Sequence, residues 1–228
     1  MNVGLIIPAA GSGSRMNKNK NKQYLQLERY PILVHTLKTF INSFNFKEII
    51  AVVKKEEMEF CRKEILKKHN IKGVKLVAGG KTRRESVYFG LKAFSLAINY
   101  VIIHDGARPL ITKDIINDII NNLNKYKAII TGVPVKDTIK IKDENEFSRE
   151  TLNRDNLVAV QTPQAFLYDL IVKAHEKVPA EVKVSDDASL VEKIGHPVKI
   201  IRGSYENIKI TTPDDLAQAK LILQRRNR

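Results

Sequence analysis

A short loop near the start of the chain carries the residue types that bind polyphosphates. An apolar run from Val3 to Ile7 predicts a buried strand, and the segment Pro8-Ala9-Ala10-Gly11-Ser12-Gly13-Ser14-Arg15 follows it. Small residues allow backbone N–H groups to approach an anion closely, and a run of such groups forms an anion-binding concavity. Arg15 and Lys22 add two positive charges. The loop therefore predicts a polyphosphate site, with a plain strand-to-helix turn as the alternative for an isolated Gly-x-Gly.

Two familiar phosphate-binding loops do not fit this segment. A Walker A loop requires Gly-Lys-Ser/Thr after its second glycine, whereas this chain has Gly13-Ser14-Arg15. A dinucleotide-binding loop requires a third glycine, where this chain has Met16, and an acidic residue at the end of the second strand. That strand ends in Lys54-Lys55 instead. What remains is a Gly-rich loop whose own arginine and lysine reach the phosphates.

The elements that must position this loop alternate between strand and helix patterns. Helical spacing of apolar residues follows Pro31 and Ser86 and also runs over 56–69. A further helix follows Thr112, which we expect to act as its cap. Such alternation predicts a parallel sheet with helices on both faces. The strand-like runs are Val3–Pro8, Glu48–Val53, Val74–Ala78, Tyr100–Ile103 and Ala128–Val135.

Polar residues follow several of these strands at their carboxyl ends, where open α/β sheets bind ligands. The third strand leads to Gly80, Arg83 and Ser86, and the fourth leads to Asp105 and Arg108. Together with the first loop, they predict one cleft rich in cations and backbone donors, with a single acid. Four roles are open to this acid, Asp105: it binds a hydroxyl, helps to hold Mg²⁺, caps its loop or pairs with Arg108. The residue types alone do not decide between these roles.

The alternation stops beyond residue 137. Thr138–Lys142 alternates with period two, a polar turn follows, and a second short segment runs from Phe147 to Leu152. This pattern predicts a β-hairpin that projects from the domain and packs against a partner. After it we expect a connection over 154–163, helices over 164–177, from Ser185 and from Pro213 with Thr212 as its cap, and a strand over 198–201.

The composition, with 43% hydrophobic and 28% charged residues, is that of a globular protein. The length of 228 residues favours one large domain over the alternative of two small ones. One cysteine, Cys61, excludes an intrachain disulfide, and no apolar run approaches the roughly 20 residues of a membrane span. With no recognisable signal peptide, we expect a cytoplasmic protein without a membrane partner. The net charge of +14 leaves a basic nucleic-acid-binding module as an alternative of another class, although no nucleic-acid-binding motif supports it.

Further segments, taken in chain order, carry a resemblance to a known family. The first loop followed by Lys22-Gln23-Tyr24 resembles the signature of sugar-phosphate nucleotidyltransferases. With the later segments, the chain resembles the 2-C-methyl-D-erythritol 4-phosphate cytidylyltransferases over essentially its whole length. Those later segments are Gly79-Gly80 with Arg83 and Ser86, His104–Pro109, Pro134–Thr138, Asn153-Arg154, Gln161–Gln164 and Asn207–Thr211.

This resemblance implies an α/β fold with a Rossmann-like, three-layer, mostly parallel sheet of the nucleotide-diphospho-sugar transferase type. It implies one nucleotidyltransferase domain over residues 1–228, with a protruding β-hairpin arm at about 137–156. It also implies a homodimer formed through that arm. The implied reaction joins CTP to methylerythritol phosphate with Mg²⁺ as cofactor, by attack of the substrate phosphate on the α-phosphorus of CTP.

The resemblance also implies a role for each matching residue. Positions matching catalytic residues are Arg15, Lys22, Arg154 and Lys209. Positions matching CTP-binding residues are Pro8, Ala9, Ala10, Gly11, Gly13, Gly80, Arg83 and Ser86. Positions matching residues for the methylerythritol phosphate are Asp105, Arg108, Thr138, Thr162 and Ser185. Of these, Thr138 and Arg154 match arm residues that reach the neighbouring subunit's site.

The chain departs from the family pattern at two positions. The family usually has proline where Asn21 stands, so we expect a looser loop and keep Lys18 and Lys20 as alternatives to Lys22. It usually has threonine where Ser185 stands, and the hydroxyl is kept. The nearest rival function is that of ribitol-5-phosphate cytidylyltransferases, which share the early loop. They typically carry Leu-Ala-Gly-Gly where this chain has Pro8-Ala9-Ala10-Gly11.

Overall fold

The computed structural model of the protein describes residues 1–11 and 21–226. Its strands are β1 (Val3–Pro8), β2 (Gln26–Leu27), β3 (Tyr30–Pro31), β4 (Glu48–Val53), β5 (Val74–Ala78), β6 (Tyr100–Ile103), β7 (Ala128–Pro134), β8 (Lys140–Lys142), β9 (Ser148–Thr151), β10 (Val158–Leu167) and β11 (Lys199–Arg202). Its α-helices are α1 (Ile32–Ile41), α2 (Met58–Phe60), α3 (Arg83–Lys92), α4 (Lys113–Asn122), α5 (Tyr168–Lys177), α6 (Ala188–Lys193) and α7 (Pro213–Arg226).

Within the described residues, seven strands form the central sheet in the order β11-β7-β10-β6-β1-β4-β5. Strands β4 and β6 flank β1, and both run parallel to it. Strand β5 runs parallel to β4, and β11 to β7, whereas β10 is antiparallel to both of its neighbours. The carboxyl ends of β1, β4, β5 and β6 therefore lie at one edge of the sheet, as the mostly parallel fold predicted from the sequence requires.

Helices cover both faces of the sheet because alternate residues of each strand point to opposite faces. Along β1, Leu5 and Ile7 pack in a cluster with residues of α1 and α4, such as Leu37 and Ile116. Between them, Ile6 joins a cluster on the other face with residues of α3, α5 and α6. A third, smaller cluster packs α7 against the segment around β2. The three-layer arrangement is thus confirmed.

The sequence-based prediction was wrong for the segment that precedes α5. We expected a connection over 154–163 and a helix from Gln164, but Val158–Leu167 forms β10 in the middle of the sheet. The backbone of this segment lies between β6 and β7, where its N–H and C=O groups must be paired. A shift in register between Gln161 and Gln164 interrupts the strand pattern that would have revealed it.

Three helix starts also differ from the prediction. The helix expected over 56–69 is a short α2 between a 3₁₀ turn (Lys55–Glu57) and a π-helical segment (Cys61–Lys67). Helix α6 begins at Ala188 rather than at Ser185, although Asp186 Oδ1 accepts from the Ser189 N–H. Thr112 precedes α4 without a capping hydrogen bond from its side chain. The predicted cap of α7 is confirmed, because Thr212 Oγ1 accepts from the Asp215 N–H.

The predicted hairpin is present as the antiparallel pair β8–β9. Asp143 Oδ1 accepts from the N–H groups of Asn145 and Phe147, which fixes the turn between the two strands. Every residue of both strands is exposed, and Phe147 is 72% exposed. The arm therefore buries little of its own apolar surface in the single chain.

No helix in the described part of the chain is long and apolar enough to cross a membrane. The single cysteine, Cys61, is buried in the core, where burial raises the pKa of its thiol to about 12. It packs as a small apolar residue.

Candidate active site

A buried carboxylate, that of Asp105, lies directly after β6 at the carboxyl edge of the sheet. Its Oδ1 accepts from Arg83 Nε at 3.1 Å, and its Oδ2 lies 2.7 Å from Lys209 Nζ. Arg108 Nε lies 3.9 Å from the same Oδ2. Only 7% of Asp105 is exposed. Three cations from three parts of the chain thus converge on one acid.

This convergence fixes the charge of Asp105. Burial alone would raise the pKa of its carboxyl, but the charges of Arg83, Lys209 and Arg108 outweigh burial and hold the pKa well below its usual range. Asp105 is therefore ionised at neutral pH. Its partner Arg83 also stays charged, because the two carboxylates it contacts raise the pKa of its guanidinium against the effect of burial.

Arg83 reaches Asp105 because the start of α3 is firmly capped. Thr82 Oγ1 accepts from the Glu85 N–H, and the Glu85 side chain accepts in return from the Thr82 N–H. This capping box fixes the first turn of the helix. Arg83 also donates to Asp187 Oδ2 at 2.8 Å through Nη2. The guanidinium thereby joins the loop after β6 to the start of α6.

A second group of hydrogen bonds, made by Thr162 and His104, holds the Asp105 loop in place. Thr162 Oγ1 accepts from the Asp105 N–H at 3.0 Å and lies 3.2 Å from His104 Nδ1. The other ring nitrogen of His104 lies 3.0 Å from the Arg108 carbonyl oxygen. His104 is fully buried, and burial lowers its pKa to about 4, so its ring is neutral at pH 7. Its hydrogen bonds therefore give His104 a structural role in the Asp105 loop.

Lys209 lies in the segment that follows β11. The Ile210 N–H donates to the Ala107 carbonyl at 2.9 Å, and Arg108 Nη1 donates to the Asn207 carbonyl at 2.8 Å. These two bonds lay the 207–210 segment along the Asp105 loop. Lys209 is thereby placed beside a carboxylate more than a hundred residues away in the chain.

Two cavities are lined by Asp105, and the larger of them has a volume of about 660 Å³. It lies at the carboxyl ends of β1, β4, β5 and β6. Its lining contains the residues matched to CTP binding that the structure describes, together with Lys22, Asp105 and Lys209. The full lining is Pro8, Ala9, Ala10, Gly11, Lys22, Gln23, Lys54, Lys55, Glu56, Gly79, Gly80, Lys81, Thr82, Arg83, Ser86, Asp105, Ala107 and Lys209.

A second cavity, of about 370 Å³, lies on the other side of Asp105. Arg83, Asp105 and Lys209 line both cavities. The remaining lining comes from the Arg108 loop, β7, β10, the segment that leads into α6, and α6 itself. These residues are Arg108, Ile130, Val160, Gln161, Thr162, Gln164, Ser185, Asp186, Ser189 and Glu192. Arg83, Asp105 and Lys209 thus form the common wall of the two cavities.

The comparisons with known proteins agree over nearly the whole chain. The model of the 2-C-methyl-D-erythritol 4-phosphate cytidylyltransferase family matches residues 3–225. The chain belongs to this family. It is 52% identical to the 2-C-methyl-D-erythritol 4-phosphate cytidylyltransferase of Alkaliphilus oremlandii, with 98% of this chain and 96% of the relative covered. The relative from Caldanaerobacter subterraneus is 48% identical, with 99% and 100% covered.

A solved structure gives the same answer for the fold. The 4-diphosphocytidyl-2C-methyl-D-erythritol synthase of Anaerococcus prevotii superposes with a TM-score of 0.86 at 39% identity, covering 98% of this chain and 96% of that one. As a member of the cytidylyltransferase family, the chain is a nucleotidyltransferase of isoprenoid biosynthesis. Of the three functions considered from the sequence, the comparisons select this one.

Not every residue matched to the cytidylyltransferase pattern lies at these cavities. Gly13 and Arg15 fall outside the described residues, as do Lys18 and Lys20, the alternatives to Lys22. Thr138 and Arg154 are exposed on and beside the arm and line neither cavity; Arg154 Nη1 donates to the Lys136 carbonyl at 3.1 Å. The single chain therefore does not bring these two residues into its own cleft.

Sequence reasoning missed two features of the site. Asp187 was interpreted as part of a helix start, but it is buried and bound to Arg83. Lys54 and Lys55 were used only to exclude a dinucleotide site, yet they line the larger cavity. The signal that could have identified these two lysines was their position directly after a strand. Because β4 lies beside β1 in the sheet, residues that follow β4 lie near the loop that follows β1.

The buried histidines predict how stability depends on pH. Burial lowers the pKa of His104, and of His175 in α5, to about 4. In the unfolded chain both rings take up a proton below about pH 6.5. We therefore expect the free energy of unfolding to fall by roughly 1.4 kcal/mol per pH unit for each histidine as the pH drops from 6.5 towards 4.

Urea unfolding at several pH values measures this slope. His104→Gln retains hydrogen-bonding groups but cannot titrate, so its slope between pH 6.5 and 4.5 should be smaller than that of the wild type by about one proton's contribution. Identical slopes for the two proteins would mean that His104 does not stay neutral in the fold.

Proposed function

We propose that the two cavities hold the two substrates named by the family, with CTP in the larger one and 2-C-methyl-D-erythritol 4-phosphate in the smaller one. The observation that carries this assignment is the shared wall, because a reaction that joins two molecules needs two adjoining sites with charge at their junction. Arg83, Asp105 and Lys209 supply that junction. The products are 4-diphosphocytidyl-2-C-methyl-D-erythritol and pyrophosphate.

The geometry of the larger cavity supports base recognition by backbone groups. The Gly80 N–H donates to Ser86 Oγ at 3.1 Å, and Ser86 Oγ donates to the Thr82 carbonyl at 2.9 Å. A Cβ on Gly79 would lie 2.6 Å from the Cβ of Ala10, so only glycine allows the segments that follow β5 and β1 to approach so closely. Rigid donors and acceptors of this kind discriminate cytosine from uracil, because the wrong base leaves buried polar groups unpaired.

The smaller cavity supports recognition of a polyol phosphate. Within the described chain, Arg108 Nε is buried and has no hydrogen-bond partner. A phosphate oxygen in this cavity can accept from Arg108 and Lys209, since arginine and lysine are the usual phosphate-binding side chains. The hydroxyls of Thr162 and Ser185 and the carboxylate of Asp105 offer partners for the polyol hydroxyls.

The chemistry then requires no covalent enzyme intermediate. An oxygen of the acceptor phosphate attacks the α-phosphorus of CTP, a P–O bond forms, and the bond to the β-phosphate breaks with release of pyrophosphate. Negative charge builds up around the α-phosphorus during this exchange. We assign its stabilisation to Lys22, Lys209 and Arg15, in a reaction that depends on positioning and fixed charge.

Mg²⁺ fits this site as an ion carried by the nucleotide. The described residues contain no group of three or more Asp, Glu, His or Cys side chains that could hold a metal ion. Both carboxylate oxygens of Asp105 already face cations. Mg²⁺ usually keeps several waters and binds through one or two carboxylates plus substrate phosphates, so we propose that it binds mainly to the CTP phosphates. When bound, it neutralises phosphate charge.

We further propose that the arm completes the site of a second subunit in a homodimer. Ile139, Ile141 and Phe147 of the arm expose 37%, 44% and 72% of their surface, which a partner chain would cover. Thr138 and Arg154 lie outside the cleft of their own chain, so they can act on substrate only in another one. The cytoplasmic location stays a prediction.

Pyrophosphate release with CTP and different acceptors tests the proposed activity. We expect rapid release with 2-C-methyl-D-erythritol 4-phosphate and much slower release with ribitol 5-phosphate. Replacing CTP by UTP should lower kcat/KM substantially, because buried acceptors lose the cytosine amino group. Equal rates with the two acceptors would contradict the assignment of the smaller cavity, and equal rates with the two nucleotides would contradict that of the larger one.

Mixed dimers test whether the arm acts in trans. Lys209→Ala and Arg154→Ala should each be nearly inactive alone. In an equal mixture, half of the dimers are mixed, and one site of each mixed dimer combines an intact cleft with an intact arm. About a quarter of the wild-type activity should therefore return. If no activity returns although mass spectrometry confirms the mixed dimers, Arg154 serves its own subunit.

A further inference from the structure

One acidic side chain, Glu57, contacts residues on both sides of Lys22. Asn21 Nδ2 donates to Glu57 Oε1, and the Tyr24 hydroxyl donates to Glu57 Oε2 at 3.2 Å. Glu57 belongs to the 3₁₀ turn after β4, which is a different part of the chain. Asn21 and Tyr24 are each only 9% exposed. The two carboxylate oxygens of Glu57 therefore bracket a segment that lines the larger cavity.

The backbone of this segment has a defined conformation. Asn21 has φ −56° and ψ 136°. A proline ring would restrict φ to a similar value. Its carbonyl accepts from the Tyr24 N–H at 3.0 Å, which closes the single helical turn Lys22–Tyr24. The sequence departure at Asn21 therefore does not leave a loose position. The side-chain hydrogen bond to Glu57 restrains Asn21, whereas a proline at this position would be restrained by its own ring.

Neighbouring side chains keep this arrangement in place. Gln23 Nε2 donates to the carbonyl of Ala9, which ties the turn to the loop after β1. The Tyr24 ring packs edge-on against Phe60 with 5.0 Å between the ring centroids. Burial raises the pKa of the Tyr24 hydroxyl, as do Cys61 and Glu57, so this group keeps its proton and remains a donor. Asn21, Gln23 and Tyr24 are thus anchored by these contacts, and they flank Lys22 in the chain.

We propose that Glu57 is a positioning residue: by holding Asn21 and Tyr24, it sets the location of the Lys22 ammonium in the CTP cavity. This inference rests on the role proposed above for Lys22 at the α-phosphate. A group that stabilises a transition state must be held close to its productive position, since a displacement of about 1 Å can cost roughly a hundredfold in rate. Glu57 itself does not touch the reacting atoms in this account.

Substitutions of each partner in the Asn21–Glu57 hydrogen bond test the proposal. Glu57→Leu removes the acceptor at similar size, and Asn21→Ala removes the donor. Each should lower kcat for pyrophosphate release at saturating CTP by about tenfold or more. Asn21→Pro restores the restriction on φ without needing an acceptor, so we expect it to stay within about threefold of the wild type. Asn21→Pro should also recover most of the kcat lost in Glu57→Leu.

Controls separate positioning from general damage. Glu59→Leu removes an exposed acid of the neighbouring turn, paired only with Arg62 and Lys63 among the described residues, and should leave kcat unchanged. Glu57→Gln keeps a carbonyl oxygen for Asn21 and should keep most of the activity. Circular dichroism confirms that each variant is folded. If Glu57→Leu does not fold, Asn21→Ala compared with Asn21→Pro decides the question alone.

The outcomes distinguish this inference from the proposed function. Wild-type kcat in Asn21→Ala and Glu57→Leu, or equal losses in Asn21→Ala and Asn21→Pro, would overturn the positioning role. Lys22→Ala provides the separate test, because full activity in that variant would remove Lys22 from the reaction and the inference with it. An inactive Lys22→Ala beside a fully active Glu57→Leu would leave the proposed function standing and reject only the role of Glu57.

Discussion

The attraction between one buried carboxylate and three cations holds this site together. Asp105 would be costly to bury alone, because an unpaired charge in a protein interior loses several kcal/mol of hydration. Arg83, Lys209 and Arg108 compensate for that loss and come from the start of α3, the segment before α7 and the Asp105 loop itself. Each of these elements is therefore coupled to the others through a single side chain.

The position of this ion cluster explains the arrangement of the two cavities. Asp105 follows β6, whose neighbours β1 and β10 run in opposite directions. On the β1 side, the carboxyl ends of parallel strands supply small residues and backbone donors. On the β10 side, the antiparallel strand supplies the side chains of Gln161, Thr162 and Gln164 instead. One sheet thereby provides two cavities with different linings on opposite sides of one acid.

The parts of the site predicted from the sequence are those whose signal is local. The Gly-rich loop after β1, and Arg83 and Asp105 after their strands, follow from residue types and from the direction of parallel strands. The contact between Arg83 and Asp187 joins residues 104 positions apart, and no local pattern records it. The strand β10 escaped prediction because its polar residues and its register shift hide the period of two.

The Asn21 position shows a different limit of sequence reasoning. A proline-to-asparagine departure suggests a loss of restraint when it is considered alone. In the fold, Asn21 is buried and bonded to Glu57, which lies 36 residues further along the chain. The restraint is thus supplied by tertiary structure instead of by a ring, and only coordinates reveal it.

A crystal structure with the product 4-diphosphocytidyl-2-C-methyl-D-erythritol bound tests the central claim most directly. We predict that one molecule spans both cavities. The cytosine should contact the backbone near Gly80 and Ser86, and the polyol should lie beside Thr162. The diphosphate should cross the shared wall within contact distance of Lys209. A product molecule lying wholly within one cavity, or one with its polyol away from Asp105, would contradict the division of the site at this carboxylate.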